Sequence, residues 1–363
     1  MRIGIDARCL MNKNYSGVSW YAFNLLKAIF ELDQKNQYLL FYNSAKPVAF
    51  PEFGRENVRP VGFKYPNKIF NLAVNFLNWP KIDQLIGGVD ILFVPNLHFI
   101  SWSGNCRKIL VVHDLSFLRF PEFFTFKSQW WHQLILAKRI LNQADLVIAD
   151  SKNTRNDLVE LLEIKPEKIK VVYPGIGKKF RKFSDESFEM VKQKYDLPAE
   201  FVLFLGTLEP RKNVENVIRA CQGRNLVIAG GRGWRDKKIL KMIGKNQQIK
   251  YLGYINEEDK PALYNLASCL VYPSFYEGFG LPIVEAMACG CPVVCGANSS
   301  QAEVAGEAAL LVDPYNVNEI KNAVELIMGD AELRQRFSEA GIERAKMFSW
   351  ERTGREVMDL FRK

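Results

Sequence analysis

The sequence predicts an α/β protein made of two doubly wound domains, each a parallel sheet covered by helices on both faces. Three observations carry that prediction. Short apolar runs of strand length alternate with amphipathic segments of helix length from one end of the chain to the other. At 363 residues the chain is too long for one small core and suits two domains of ordinary size. The alternation also restarts after the turn-rich string Tyr173-Pro174-Gly175-Ile176-Gly177.

In the first half, strands are expected at 2–7, 38–42, 91–94, 109–112, 146–149 and 169–172. The second half repeats the design at 201–205, 226–229, 250–253, 270–272, 293–295 and 310–312. The seam is placed after Gly177, which divides 1–177 from 178–347, and the charged stretch Lys178 to Lys194 opens the second domain. Ligands of open parallel sheets bind at the carboxyl ends of the strands, so the loops after these runs are where function is sought.

Composition narrows the classes. Aliphatic and aromatic content is that of a globular protein. A net charge of +9 favours an anionic partner: nucleic acid, an acidic sugar nucleotide or an acidic membrane surface. No zinc-finger, helix-turn-helix or aromatic RNA-binding pattern is present, so nucleic acid is the weakest of the three. The start, Met1-Arg2-Ile3-Gly4-Ile5-Asp6, carries charge inside its apolar run and has no cleavage pattern, and no apolar run reaches the roughly 18 residues that span a bilayer. A cytoplasmic location is the expectation. The seven cysteines are scattered without paired spacings, which predicts reduced, mostly buried thiols. Cys289, Cys291 and Cys295 cluster, but no histidine is near them in sequence and no metal is expected.

The most informative string runs from Pro273 to Val294. An apolar strand leads into a loop with Gly278 and Gly280, and a helix can begin at Pro282, where no amide is lost. Gly290 suits the left-handed residue that ends it, and Pro292 prevents its resumption. Glu277 then lies in the loop and Glu285 in the first helical turn, with amide donors between them. Amides at a helix start attract phosphate, and carboxylates beside them more plausibly accept hydrogen bonds from hydroxyls. Phosphates plus hydroxyls indicate a sugar nucleotide. Read singly, Glu285 could merely complement the helix dipole and Glu277 could be solvated.

Other candidates follow strands. Thr207-Leu208-Glu209-Pro210-Arg211-Lys212-Asn213 offers two cations at a strand end, which can hold a diphosphate or form a solvated basic turn. Gly17, before a helix from about Ser19, allows close approach of a ligand to the backbone, or serves a simple turn. His113 and Asp114 end a clear strand, while His98 and His132 receive a structural reading. Gly230-Gly231-Arg232-Gly233 lacks the full dinucleotide fingerprint. Phe117 to Trp131 mixes Phe120, Phe123, Phe124, Phe126, Trp130 and Trp131 with Arg119 and Lys127. It reads as a patch for an anionic membrane or as aromatics pinning a loop to the core, and the second is favoured because such rings are costly to expose.

Together these strings closely resemble the signature of the retaining glycosyltransferases of family 4. The resemblance implies the GT-B fold, two Rossmann-like domains facing each other across a cleft, with a terminal helix at about 348–363 crossing back onto the first. It implies that Glu277 holds hydroxyls of the donor sugar and Glu285 the ribose. Arg211 and Lys212, with the backbone around Gly278, Phe279, Gly280 and Leu281, would hold the diphosphate. Gly17 would meet the donor phosphate or sugar, and His113 the donor sugar. Some family members carry arginine directly after the glycine that ends the strand before this loop; here that place is Thr207, so Arg211 would have to supply the charge. The strings Ile3-Gly4-Ile5-Asp6, Gly206 to Asn213 and His113 to Glu122 are most similar to bacterial mannosyltransferases of surface polysaccharide synthesis. GDP-mannose is therefore the expected donor, and a glycan or lipid-linked glycan the acceptor. Another GDP- or UDP-sugar transferase, a sugar-nucleotide epimerase of the same fold and a non-catalytic sugar-nucleotide sensor are the alternatives.

Overall fold

A computed structural model describes residues 1–11, 15–127, 129, 135–183 and 187–362. The chain forms two compact units. One comprises Met1–Pro121, Phe126–Gly175 and Ser349–Lys363, and the other Glu122–Thr125 with Ile176–Phe348. The division falls two residues before the expected seam. Glu122–Thr125, expected in the first domain, groups with the second because its aromatics pack there: Phe123 stacks on Phe275 with centroids 5.4 Å apart, and Phe124 on Trp234 at 5.6 Å.

The sheet of the first unit holds, among the described residues, β1 (Arg2–Asp6), β2 (Gln37–Asn43), β3 (Val58–Phe63), β4 (Ile91–Val94), β5 (Arg107–Val112), β6 (Leu146–Ala149) and β7 (Ile169–Val171). All pair in parallel, in the order β3-β2-β1-β4-β5-β6-β7. Strand β3 is not among the expected strands, and it contains Pro60 and Gly62, residues that strands disfavour. It lies at the edge of the sheet and is largely exposed, where a missing proline N–H breaks no ladder. The central strands β4, β5 and β6 are buried or nearly so on both faces, which accounts for their unbroken apolar runs.

One face of this sheet packs Ile3, Ile5, Phe93 and Val111 against Leu25, Leu26 and Ile29 of the helix Gly17–Leu32 and against Val357 and Phe361 of the helix Trp350–Arg362. The terminal helix belongs to this unit: Arg107 Nη1 donates to the Leu360 carbonyl at 2.6 Å, and the Thr353 hydroxyl to the Tyr173 carbonyl at 2.8 Å. Gly175 permits the contact, since a Cβ there would lie 2.1 Å from the Trp350 nitrogen. The other face buries Leu92, Leu110, Val112 and Val147.

The second unit's sheet runs β10-β9-β8-β11-β12-β13, again all parallel, with β8 (Val202–Leu205), β9 (Leu226–Ala229), β10 (Ile249–Gly253), β11 (Cys269–Tyr272), β12 (Val293–Gly296) and β13 (Leu310–Val312). In each sheet the chain winds outward in one direction and then returns to wind in the other. The reversals fall between β1 and β4 and between β8 and β11. At such a point the loops leave in opposite directions and open a crevice at the strand ends. All seven cysteines are free thiols. Among the described residues no helix is long and apolar enough to cross a membrane.

Candidate functional site

The crevice between β8 and β11 gathers the residues singled out in the second half. After β8, a 3-10 turn Pro210–Lys212 carries both cations, and Asn213 follows in the left-handed conformation. The Asn213 side chain donates to the carbonyls of Pro273 (2.9 Å) and Pro314 (2.7 Å), and the Phe275 amide donates to the Arg211 carbonyl at 2.9 Å. These bonds stitch the loop after β8 to the loop after β11, and Glu277 arrives between the cations. Arg211 Nη1 donates to Glu277 Oε2 at 3.0 Å and to the Tyr276 carbonyl at 2.8 Å, and Lys212 Nζ to Glu277 Oε1 at 2.7 Å. Lys212 also reaches the Tyr272 hydroxyl.

Glu209 completes the cluster. It is 4% exposed and accepts from Arg211 Nη2 at 2.7 Å. Two carboxylates thus balance two cations, all of them nearly buried. Burial alone raises the Glu277 carboxyl, but the charges of Lys212 and Arg211 more than reverse this and hold it at about 2. Glu277 is therefore ionised and braces both cations, a task beyond the hydroxyl contact that the resemblance implies.

The helix after this loop spans Leu281–Ala288, capped by Gly280 at φ 95°, a conformation that a side chain resists. It starts one residue before Pro282, which moves Glu285 into the second turn, so the dipole explanation of that residue weakens. Pro282 has no amide and the Ile283 amide donates to the Gly280 carbonyl at 2.9 Å, so the donors such a helix start leaves over are the amides of Gly280 and Leu281. The loop is clamped from the helix Ser299–Ala305: the Ser300 hydroxyl contacts the carbonyls of Glu277 (2.8 Å) and Phe279 (3.0 Å), and the Glu277 amide donates to Ser299 Oγ at 3.1 Å. Glu285 has other partners. It accepts from the Tyr264 hydroxyl at 2.9 Å, and burial raises its pKa against the pull of Lys260.

In the first unit, His113 ends β5. Its Nδ1 meets Asp150 Oδ2 at 2.7 Å, its Nε2 meets the Pro95 carbonyl at 3.0 Å, and Tyr21 packs edge-on at 4.6 Å. Burial lowers the His113 pKa, but Asp150, by charge and hydrogen bond, raises it above the ordinary value. Both ring nitrogens thus face acceptors within the first unit, the Asp150 carboxylate and the Pro95 carbonyl. Asp114 starts a turn, accepting from the Ser116 amide at 2.9 Å. Gly17 opens its helix behind the cap Ser16, and a Cβ added there meets nothing within 4 Å. Among the described residues neither strain nor packing requires glycine at that place.

Sequence reasoning missed a second cluster, at the reversal between β1 and β4. A cavity of ≈ 350 Å³ is lined there by Asp6, Arg8, Asn43, Asn71, Asn96 and His98, among others. Arg8 is buried and forks onto Asp6 (2.8 and 2.5 Å) and the Phe99 carbonyl (2.6 Å), while its Nη1 has no partner among the described residues. His98, given a structural reading from sequence, lines this cavity, and burial with the Arg8 charge lowers its pKa to about 4. The described lining is thus close to neutral and rich in hydrogen-bonding groups. Asp6 and Arg8, two positions apart at the end of β1, were the signal available in the sequence.

Three expectations remain. His132, Trp130 and Trp131 lie outside the described residues. Of the other aromatics between 117 and 131, Phe117 packs on the core, Phe123 and Phe124 stack as described, and Phe126 is exposed. Among the described residues no group of three or more His, Cys, Asp or Glu could hold a metal, and Cys289, Cys291 and Cys295 are buried thiols whose pKa burial raises.

Comparison with known proteins places this geometry in context. The family described as Glycosyltransferase Family 4 matches residues 15–178, and Glycosyl transferases group 1 matches 185–344. O-antigen chain mannosyltransferase B of Escherichia coli is 33% identical over 268 residues, covering 70% of this chain and 70% of that protein. Serotype-specific mannosyltransferase WbdA of the same organism is 28% identical over 281 residues, and the match spans 72% of this chain but 34% of that protein. Among solved structures, sucrose-phosphate synthase from Thermosynechococcus elongatus has a TM-score of 0.80 at 20% identity over 99% of this chain and 98% of that one. Anabaena HepE in complex with UDP-glucose scores 0.74 at 19% identity over 99% and 98%.

Proposed function

Because the chain belongs to the family 4 glycosyltransferases, we propose that it transfers mannose from GDP-mannose to a hydroxyl of a glycan or lipid-linked glycan, with retention of anomeric configuration. The observation that carries this reading is the neutralised cluster of Arg211, Lys212, Glu209 and Glu277 beside a helix start, at the crevice between β8 and β11. Departure of a nucleoside diphosphate develops negative charge. Two cations already locked in place, with the amides of the helix start, favour that charge more in the transition state than in the ground state. No metal is required for this step. Glu277 holds the cations in register and retains acceptor capacity for a sugar hydroxyl.

Glu285 takes the ribose, and Gly17 leaves room for the donor to approach the backbone. His113, braced by Asp150 and Pro95, is a positioning residue at the end of β5. The near-neutral cavity by Arg8 suits an uncharged, hydroxyl-rich acceptor end. Retention proceeds by substitution on one face, with the departing phosphate taking the acceptor's proton. The two mannosyltransferase relatives support the choice of sugar, and HepE with UDP-glucose supports a nucleotide-sugar donor.

Thermal-shift measurements test the donor. GDP and GDP-mannose are expected to raise the melting temperature and UDP-sugars are not, since a ligand at 100 times its Kd stabilises the native state by about 2.7 kcal/mol. Absence of a shift with any nucleotide overturns the reading. A second expectation is that transfer, followed by NMR of the product's anomeric proton, continues unchanged in excess EDTA; loss of activity on chelation, restored by a divalent cation, contradicts a metal-free step.

A further inference from the structure

The helix Asn67–Leu72, prolonged by the π-helical turn Ala73–Leu77, presents two unlike faces. Phe70, Val74 and Asn75 turn inward and are 3%, 1% and 8% exposed. Ile69, Leu72, Phe76 and Leu77 turn outward at 66%, 58%, 59% and 73%, and Trp79 follows at 65%. Asn78, left-handed, ends the helix between them. Burying side chains of this size is worth about 1.5–3 kcal/mol each, so five exposed within eleven residues form a surface that water disfavours.

Charge defines what covers it. From Asn57 to Ile82 every charged side chain is basic: Arg59, Lys64, Lys68 and Lys81, with no Asp or Glu between Glu56 and Asp83. Arg59, Lys64 and Lys68 are exposed and Lys81 is half-buried. An exposed apolar stripe on a segment whose charges are all basic matches acyl chains beneath anionic headgroups.

We propose that this face seats the first unit on an anionic lipid bilayer. The inward side of the same helix contributes Asn67, Phe70 and Asn71 to the cavity beside Arg8. Docking would therefore bring that cavity close to the headgroups and to a lipid-linked acceptor, a consequence that rests on the transferase reading; the membrane contact itself does not. The surface differs from the aromatic segment 117–131 that the sequence suggested for this role.

Co-sedimentation of the full chain with vesicles tests the proposal without requiring catalysis. At low salt, binding to phosphatidylcholine mixed with an equal part of phosphatidylglycerol is expected to exceed binding to phosphatidylcholine alone by about tenfold or more, and to weaken as salt rises. Lys64→Glu with Lys68→Glu is expected to remove that preference, and Leu72→Ser with Leu77→Ser to reduce binding to both vesicles. These positions are exposed, so an unchanged melting temperature separates lost docking from lost folding. Wild-type binding by both double variants, or no binding of the wild type to anionic vesicles at low salt, overturns the proposal. So does light scattering that shows a dimer dissociated by Leu77→Ser, because the face would then be covered by a second copy.

Discussion

Replacing Glu277 with glutamine is expected to reduce sugar transfer by about 100-fold or more, equivalent to roughly 2.7 kcal/mol of transition-state stabilisation. The amide keeps the shape but removes the charge shared by Arg211 (3.0 Å) and Lys212 (2.7 Å). Glu209 alone would then face two nearly buried cations, which repel each other out of register. Loss of a charged partner also costs stability, about 1–3 kcal/mol. The diagnostic is a split in the kinetics: kcat falls, while the KM for the donor does not rise, because a less neutralised pair still attracts the diphosphate. Unchanged kcat in a folded variant would sink the assigned role. The carboxyl of Glu277 is depressed from its ordinary value to about 2. The ion pairs therefore contribute fully above about pH 4.5, the unfolded value, and are lost as pH falls from there through about 2.

The second large effect is expected at Asp150, where alanine should cost about 3–5 kcal/mol of stability, the range for removing one partner of a buried pair. Asp150 is 4% exposed and lies 2.7 Å from His113 Nδ1. The pH dependence runs opposite to that of Glu277. Asp150 raises the His113 pKa above the unfolded value of about 6.5, so the pair's contribution is complete below that pH and is lost as pH rises through the higher folded value. Melting temperatures of wild type and Asp150→Ala should therefore differ most in acid and converge in alkali. A constant difference across that range would show that the ring is not charged.

Both results concern groups whose partners lie far away in sequence, and that is where reading the chain alone stopped. Arg211 and Lys212 are visible as a basic pair, and Glu277 as an acid in a glycine-rich loop. Nothing in either string says that they are one ion-paired cluster, because the contact joins loops 65 residues apart through the parallel pairing of β8 with β11. Glu209 illustrates the same limit. In the sequence it is one residue of a loop, whereas its near-complete burial and its bond to Arg211 appear only in the fold.

The chain's local chemistry determined a good deal. Unbroken apolar runs in β4, β5, β8 and β11 announced strands buried on both faces, and the glycine and proline punctuation located their ends, since these preferences act within a few residues. Tertiary structure decided the rest. Strand β3 forms despite Pro60 and Gly62 because an edge has no outer neighbour to supply with hydrogen bonds. His98 reaches a cavity wall because the sheet reverses between β1 and β4 and sets their loops side by side. Ile69, Leu72, Phe76 and Leu77 stay in water while Phe70 and Val74 do not, because a helix packed on one side can bury only one face. Propensity is a property of neighbouring residues, whereas burial and charge pairing depend on which distant segments the fold places against them.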